Sequence, residues 1–304
     1  MKNMTVDIGG LVLKNPVMTA SGTFGYGEEY APYLDLERLG AIIVKGLSLN
    51  PKEGNYPPRI IETASGMLNA IGLENIGVRT FIEEKLPSLK GLDVPIIANI
   101  FGETVDEYMK VAEILSEAGG VSGLEVNKSC PNIKKGGIDF GTDPDLAYEV
   151  THSVKKVTHL PIIAKLTPNV TDIRLIAKSV VDAGADAVSL INTLKGMSVD
   201  IEKRIPHLRN ITGGLSGPAV KPVALRMVWE VAQSISAPVI GLGGIMNAED
   251  ALEFLIVGAK AIQVGTANFI DPNATMNVLE GIERYMEEKE IDNIDDLTGS
   301  FRTE

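Results

Sequence analysis

Short, continuous apolar runs alternate along the chain with longer segments in which apolar residues repeat every three or four positions. Continuous runs, rather than alternating ones, are typical of parallel strands that are buried on both faces. The runs are Val17–Ala20, Ala41–Val44, Pro95–Ile100, Gly123–Val126, Pro161–Leu166, Ala187–Ile191, Pro238–Gly241 and Ala261–Val264. The helical repeats between them include Val105–Ala118, Ile173–Ala183, Pro222–Ile235 and Ala248–Val257. Eight strands alternating with helices predict an α/β fold and favour a (β/α)8 TIM barrel over an open doubly wound sheet.

Two further features belong to this architecture. Residues 6–13 carry two short apolar runs on either side of a Gly-Gly pair, which predicts an N-terminal β-hairpin. Two βα connections, residues 47–78 and 196–222, are longer than ordinary loops and are predicted to be insertions that wall a binding site. Because no linker or low-complexity segment interrupts the pattern, residues 1–304 are predicted to form a single domain.

The composition supports a large core and excludes several classes of function. The 304 residues are 44% hydrophobic and 22% charged, which argues against disorder. The net charge of −12 leads us to expect no binding to nucleic acid or to an anionic membrane. One cysteine excludes a disulfide and cannot by itself hold zinc or an iron–sulfur cluster, so no metal site is expected. With no bilayer-length apolar run, and no signal-like segment in Met1–Asp7, the chain is predicted to be cytoplasmic.

Polar and small residues recur where the predicted strands end. In a barrel these ends meet at one face, which is where active sites lie. The residues at or just past the runs are Ser21, Lys45, Asn99, Asn127, Lys165, Asn192, Gly243, Gly244, Gly265 and Thr266. The two lysines are the least ordinary members, because burying an ammonium without a partner costs several kcal/mol. The alternative is that each lysine extends from a strand end into solvent.

The last two strands end in glycine, at Gly243-Gly244 and at Gly265-Thr266. Glycine lets backbone N–H groups approach an anion, and the loops after strands seven and eight are the usual phosphate site of this fold. The segment Gly241–Met246 does not complete the dinucleotide fingerprint, so a nicotinamide-binding Rossmann unit is not expected. A phosphate site beside lysines and asparagines favours flavin mononucleotide (FMN) with a small planar substrate, since amides offer both donors and acceptors.

The stretch Gly123–Asn132 contains the only cysteine of the chain, Cys130, just after a predicted strand. Pro131 follows it, so the chain must turn there rather than continue a regular ladder. A lone cysteine is more often an inert small apolar residue. In the company of the polar strand ends, however, this thiol is a candidate general acid–base, because its pKa can be tuned into the working range.

Several motifs, in order and with matching spacing, resemble the dihydroorotate dehydrogenase family from Asn15 to about Pro272. They are Ala20–Gly25 (ASGTFG), Lys45-Gly46, Gly66–Leu73 (GMLNAIGL), Asn127–Asn132 (NKSCPN), Lys165–Asn169 (KLTPN), Ile191–Thr193 (INT), Gly213–Pro218 (GGLSGP), Gly243-Gly244 and Gly265-Thr266. The resemblance implies an FMN-containing α/β barrel that oxidises dihydroorotate to orotate in de novo pyrimidine biosynthesis.

The resemblance also implies roles for individual residues. Cys130 matches the base that removes the C5 proton while hydride leaves C6 for the flavin N5. The residues matching flavin contacts are Ser21, Lys45, Gly46, Asn99, Asn127, Lys165, Ile191, Gly217, Gly243, Gly244, Gly265 and Thr266. Those matching substrate contacts are Lys45, Asn69, Ala70, Ile71, Gly72, Leu73, Asn127, Asn192 and Thr193. Lys128 departs from the family pattern, which has an aliphatic residue there; strand alternation turns it away from the site.

Within the family, the cysteine base and the absence of an N-terminal membrane helix resemble the soluble classes. Met67–Leu73 and Thr212–Pro222 look like the NAD-linked class 1B. That resemblance implies an electron-transfer subunit carrying FAD and a [2Fe–2S] cluster, in a heterotetramer with two copies of each subunit. The alternative is the class 1A homodimer, which reduces fumarate. A flavin-free phosphate-binding lyase or isomerase and a non-catalytic binding module are the other readings left open.

Overall fold

The computed structural model describes residues 2–128, 131–132 and 138–303, with only the backbone described at 131–132 and 138–139. The predicted base, Cys130, lies outside the described residues. The strands found in the described part are β1 (Val6–Asp7), β2 (Val12–Leu13), β3 (Val17–Thr19), β4 (Ile42–Leu47), β5 (Ile60–Thr63), β6 (Gly66–Asn69), β7 (Ile96–Ile100), β8 (Gly123–Asn127), β9 (Pro131–Asn132), β10 (Ile138–Asp139), β11 (Ile162–Lys165), β12 (Ala187–Leu190), β13 (Leu194–Met197), β14 (Val199–Asp200), β15 (Ile205–Pro206), β16 (Thr212–Ser216), β17 (Val239–Leu242) and β18 (Ala261–Val264).

Eight of these strands form a barrel and confirm the predicted (β/α)8 fold. The barrel strands follow one another in chain order, as β3, β4, β7, β8, β11, β12, β17 and β18. Each ladder in this sheet is parallel. A parallel bridge between Met18 and Ala41 connects β3 to β4 and brings the first strand beside the second. The ends of these strands therefore meet at one face, as the sequence pattern predicts.

Helices return the chain from one barrel strand to the next. They are α1 (Val78–Thr80), α2 (Leu86–Leu89), α3 (Val105–Ala118), α4 (Pro144–Val157), α5 (Ile173–Asp182), α6 (Lys221–Ala232), α7 (Ala248–Ile256), α8 (Ala267–Ile270) and α9 (Ala274–Glu288), with a π-helical turn at Phe81–Lys85 between the first two. Side-chain caps set several of their starts: Thr104, Asp143 and Asn247 each accept a backbone N–H of the following turn. These caps satisfy amide groups that have no partner within the helix.

The predicted N-terminal hairpin is present, with β1 and β2 antiparallel. The two predicted insertions pair with each other, which their sequences do not indicate. Strand β6 of the first insertion pairs antiparallel with β16 of the second, which places Leu68 opposite Leu215. With β5 and β13 they form one four-stranded sheet. Gly213 allows this pairing, because a Cβ there would lie 2.6 Å from the backbone oxygen of Asn69.

Element bounds differ from the predicted ones by one to three residues at several ends. Strand β4 continues past Val44 to Leu47, so Lys45 and Gly46 lie within the strand rather than after it. Helix α6 ends at Ala232 rather than Ile235: the Ser234 N–H donates to the Val231 carbonyl, three residues back, instead of to the carbonyl four residues back that a continued α-helix uses. Within the described residues, no helix combines the length and the apolar character needed to cross a bilayer. The single domain stays a prediction.

Candidate active site

A cavity of about 720 Å3 opens at the carboxyl ends of the barrel strands, a size typical of cofactor and substrate sites. Among the described residues it gathers every residue predicted for the flavin or the substrate. The lining includes Ser21, Lys45, Gly46, Asn69, Ala70, Ile71, Gly72, Leu73, Asn99, Asn127, Lys165, Ile191, Asn192, Thr193, Gly217, Gly243, Gly244, Gly265 and Thr266. Residues from separate strands thus converge, although their individual roles stay predictions. Cys130 alone of the predicted site residues is outside the described part of the chain.

The glycines after β17 and β18 meet different demands. Gly244 has φ +79°, and a Cβ there would lie 2.7 Å from the backbone nitrogen of Lys221, so the fold itself requires glycine. Gly265 is different, because a Cβ would meet Ala20 at 3.4 Å, which is ordinary contact. No neighbouring protein atom in the described structure therefore requires glycine at this position, where the backbone lines the cavity. Close approach of an anion to this backbone would explain why the residue is glycine.

Replacing Gly265 with Val should leave the barrel folded and abolish FMN binding. The reason is that the added methyl groups enter the cavity at the proposed phosphate site, whereas the backbone conformation suits any residue. Flavin content after reconstitution and the melting temperature are the measurements. The matched control is Gly91→Val, because a Cβ on Gly91 would meet only the Ser88 oxygen, at 3.7 Å. Stoichiometric flavin in the Gly265 variant would contradict the phosphate assignment.

Asn99, Lys165 and Gln263 form the floor of the cavity, and all three contact one carboxylate behind them. This carboxylate belongs to Glu125, which is fully inaccessible to solvent. Its Oε2 accepts from Asn99 Nδ2 at 2.6 Å and from Lys165 Nζ at 3.1 Å. Its Oε1 accepts from Gln263 Nε2 at 2.7 Å and from Ser189 Oγ at 2.9 Å. Burial alone would raise the pKa of the Glu125 carboxyl, but the Lys165 ammonium and these hydrogen bonds hold that pKa below its usual range. Glu125 is therefore an anion within the barrel.

Lys165 is the last residue of β11, and only 5% of its side chain is exposed. Besides Glu125, it reaches Ser21 Oγ at 3.5 Å. The lysine therefore does not extend into solvent, which was the alternative for a strand-end lysine. It places a cation at the cavity floor, and Lys45 of β4 lines the same cavity.

Asparagine side chains from several elements also line the cavity. Asn192 Nδ2 donates to Asn127 Oδ1 at 3.3 Å, and Asn192 Oδ1 accepts from the Thr193 N–H at 2.8 Å. The Tyr108 hydroxyl donates to the Asn127 carbonyl at 2.7 Å and so fixes the end of β8. Asn69 of β6 donates to the Gly214 carbonyl at 3.3 Å, which ties the two insertions together beside the cavity. These amides suit a ring that carries both donors and acceptors.

Sequence reasoning missed two members of this site, Glu125 and Gln263. Both lie inside apolar strand runs, and Gln263 also lines the cavity. The available signal was period-two alternation, since Glu125 lies two residues before Asn127 and must face the same side of β8. A charged residue inside a doubly buried strand also requires a partner. That partner, Lys165, was itself among the predicted residues.

Lys128 is absent from the cavity lining, in keeping with the alternation that turns it away from Asn127. It is fully buried, and its Nζ makes a long hydrogen bond of 3.4 Å to the Val126 carbonyl. Burial lowers the pKa of the Lys128 ammonium to about 7, although the Glu125 charge opposes this shift. The backbone carbonyl of Lys128 accepts from the Gly141 N–H at 2.8 Å. Lys128 thus joins the two ends of the segment that carries Cys130.

Lys128→Met should stabilise the protein below pH 7, by on the order of 3 kcal/mol in the free energy of unfolding. In the folded state the Lys128 pKa is depressed to about 7, so the unfolded chain binds more protons between pH 7 and the ordinary lysine pKa. The penalty of the native lysine is therefore full below pH 7 and fades as pH rises above it. Denaturant unfolding at several pH values measures the gain. The exposed Lys156→Met is the control; a destabilised Lys128 variant at acidic pH would contradict the prediction.

The fold and the site together define a (β/α)8 barrel with a cofactor-sized cavity over a buried lysine–carboxylate pair. The family model for dihydroorotate dehydrogenase matches residues 3–286. The chain is 60% identical over 301 residues to the "Dihydroorotate dehydrogenase B (NAD(+)), catalytic subunit" of Geotalea uraniireducens (strain Rf4), covering 99% of both chains. Proteins of the same name from Citrifermentans bemidjiense and Thermoanaerobacter pseudethanolicus are 59% and 55% identical, with 98% and 99% of this chain and 98% and 100% of theirs covered. The chain belongs to the dihydroorotate dehydrogenase family.

The residues present fit the flavin that this family implies. The cavity has the volume of a cofactor site, and the open backbone at Gly265 suits a phosphate. The Gln263 Oε1 atom is buried and has no hydrogen-bond partner in the described part of the structure. A buried acceptor beside a cavity calls for a donor from the molecule that fills it. A flavin ring carries such a donor, and the Lys165 cation matches the charge that the ring gains on reduction.

Proposed function

We propose that the chain oxidises dihydroorotate to orotate with FMN, and passes the electrons to NAD through a partner subunit. The observation that carries the proposal is the convergence, in one cavity, of an open glycine backbone, two lysines and several asparagines. These groups come from different strands and, with Asn69, from the first insertion. A protein that only binds a partner has no need of a buried lysine–carboxylate pair at the floor of such a cavity.

The cofactor roles are assigned to groups that line the cavity. The backbone at Gly243, Gly244, Gly265 and Thr266 would hold the phosphate. Lys165 would lie at the polar edge of the ring, where its charge stabilises the reduced form. When bound, FMN supplies a hydride acceptor at N5.

The substrate roles are assigned to other groups that line the same cavity. Lys45 and the backbone of Asn69–Leu73 would hold the carboxylate of dihydroorotate, and Asn127, Asn192 and Thr193 its ring. Cys130 would take the C5 proton as the hydride leaves C6, which forms the C5–C6 double bond of orotate. The two electrons removed from the substrate are thereby transferred as one hydride.

The electron acceptor requires a second protein. The relatives are named as NAD-linked catalytic subunits, which supports a separate electron-transfer subunit. This chain has one cysteine, whereas a [2Fe–2S] cluster takes four protein ligands. We infer that the partner carries FAD and the cluster, and that two copies of each subunit assemble in the cytoplasm. Electrons would then pass from FMN through the cluster and FAD to NAD.

Co-purification tests this assignment. The tagged chain, produced together with its electron-transfer subunit, should retain an iron- and FAD-bearing protein in equal amount and reduce NAD with dihydroorotate. The isolated chain should reduce an artificial dye but not NAD. Turnover of the isolated chain with fumarate would favour the homodimeric class instead, and a colourless chain that binds no FMN would favour a flavin-free lyase or isomerase.

A further inference from the structure

The Glu125 carboxylate fixes the orientation of every group that contacts it. A carboxylate anion only accepts hydrogen bonds, so each neighbour must present a donor. The Lys165 ammonium has only donors, and the Ser189 hydroxyl can rotate its hydrogen toward the carboxylate, but the two amide side chains could present either of their ends. Asn99 turns its Nδ2 to the carboxylate, and Gln263 turns its Nε2. Their oxygen atoms must therefore point away from Glu125.

Both amide side chains are nonetheless part of the cavity lining. Asn99 and Gln263 line the cavity, whereas Glu125 lies behind them. The Asn99 Oδ1 atom lies toward Gly46, only 2.9 Å from the place of a Cβ on that residue. The Gln263 Oε1 atom is buried and lacks a partner among the described residues. One anion behind the cavity lining thus fixes the orientation of both amides.

The same anion also sets the charge at the floor. Lys165 is 5% exposed and its nearest carboxylate is that of Glu125, at 3.1 Å. An ion pair that is shielded from water acts over a longer distance than one at the surface. A ring whose polar edge lies at Lys165 therefore experiences the cation together with the anion behind it, rather than an isolated ammonium.

We propose that Glu125 is a positioning residue of the flavin site: it fixes the orientation of the Asn99 and Gln263 amides, holds Lys165 at the polar edge of the ring, and lowers the reduction potential of the bound FMN. The inference rests on the proposed function only in that the chain binds FMN. The direction of the effect on the potential follows from charge. Reduction adds negative charge to the ring, which Lys165 favours and Glu125 opposes.

Glu125→Gln tests the effect of the Glu125 charge on the FMN potential, because it removes the charge and hardly changes the shape of the side chain. Removal of the negative charge should shift the equilibrium between oxidised and reduced FMN toward the reduced form by about tenfold, which for a two-electron couple is about 30 mV. The measurement is an anaerobic redox titration against a reference dye. The matched control is Ser189→Ala, which removes a hydrogen bond to Glu125 without changing a charge or an amide. It should leave the potential at the parental value. An unchanged or lower potential in the Glu125→Gln variant would overturn the proposal.

If the glutamine variant is recovered without flavin, Glu125→Asp tests whether Glu125 positions the two amides. Aspartate keeps the charge but is shorter, so it cannot hold Asn99 and Gln263 together. We expect the parental potential and FMN binding that is weaker by about tenfold. Parental FMN affinity, or a potential raised in the aspartate variant, would contradict the inference. Neither readout involves dihydroorotate, so failure of the inference is distinct from failure of the proposed function, which a parental chain without FMN would show.

Discussion

Cys130→Ala is expected to bind FMN and orotate while losing dihydroorotate oxidation by a factor of about 10²–10⁴. The C5 proton does not leave unaided, so a base must contact it. In the described part of the chain no histidine lines the cavity: His152 is in α4, His159 follows that helix, and His207 is in the second insertion. Cys130→Ser should keep a little activity, displaced to higher pH, because a hydroxyl is the poorer acid. Rapid-mixing measurements of flavin reduction between about pH 6 and 9 give the rates.

Two carboxylates at the cavity wall are the competing bases. Glu29 accepts from the Tyr26 N–H at 3.0 Å, and Glu74 forms an ion pair with Arg59, so both are already held by protein groups. Each Glu→Gln variant serves as the comparison for the cysteine variant. Flavin reduction at the parental rate in Cys130→Ala, across the whole pH range, would exclude the thiol. Loss of the rate in Glu29→Gln or Glu74→Gln alone would move the role to that carboxylate.

Lys165→Ala is expected to slow flavin reduction by dihydroorotate by about 10²–10³. It removes the cation placed to stabilise the reduced ring. The same change leaves Glu125 buried without its ionic partner, which should also cost about 3–5 kcal/mol in the free energy of unfolding. The rate of the reductive half-reaction, measured on the flavin-loaded fraction, separates these two effects.

The matched control for Lys165 is Lys128→Met. Both lysines are buried and both lie near Glu125, but Lys128 is not part of the cavity lining. Lys128→Met should therefore reduce its flavin at the parental rate. A parental rate in Lys165→Ala would remove that lysine from the electrostatic role proposed for it.

The sequence pattern predicts the barrel well because each strand and helix carries its own local signal. The runs at Ala261–Val264 and Val105–Ala118 have the bounds found in the structure. Polar residues at the strand ends also predict the cavity, since parallel strands bring their carboxyl ends to one face. Local patterns are sufficient to predict site residues where the fold itself brings the strand ends together.

Two features could not be predicted in this way, because each depends on residues far apart in the chain. The pairing of β6 with β16 joins Asn69 to Gly214, and no local pattern states which insertion strand is the partner. Glu125 was hidden inside an apolar run, and its role depends on Lys165, forty residues later. Strand alternation predicts that Lys128 points away from the cavity, as found, but its burial depends on the packing behind β8.

We expect this chain alone to transfer hydride from dihydroorotate to its own FMN. The most direct test mixes the FMN-loaded chain, without oxygen and without a partner subunit, with one equivalent of dihydroorotate. We expect the visible flavin absorbance to bleach and orotate to form in equal amount. Fully loaded flavin that stays oxidised, with the dihydroorotate recovered unchanged, would contradict it.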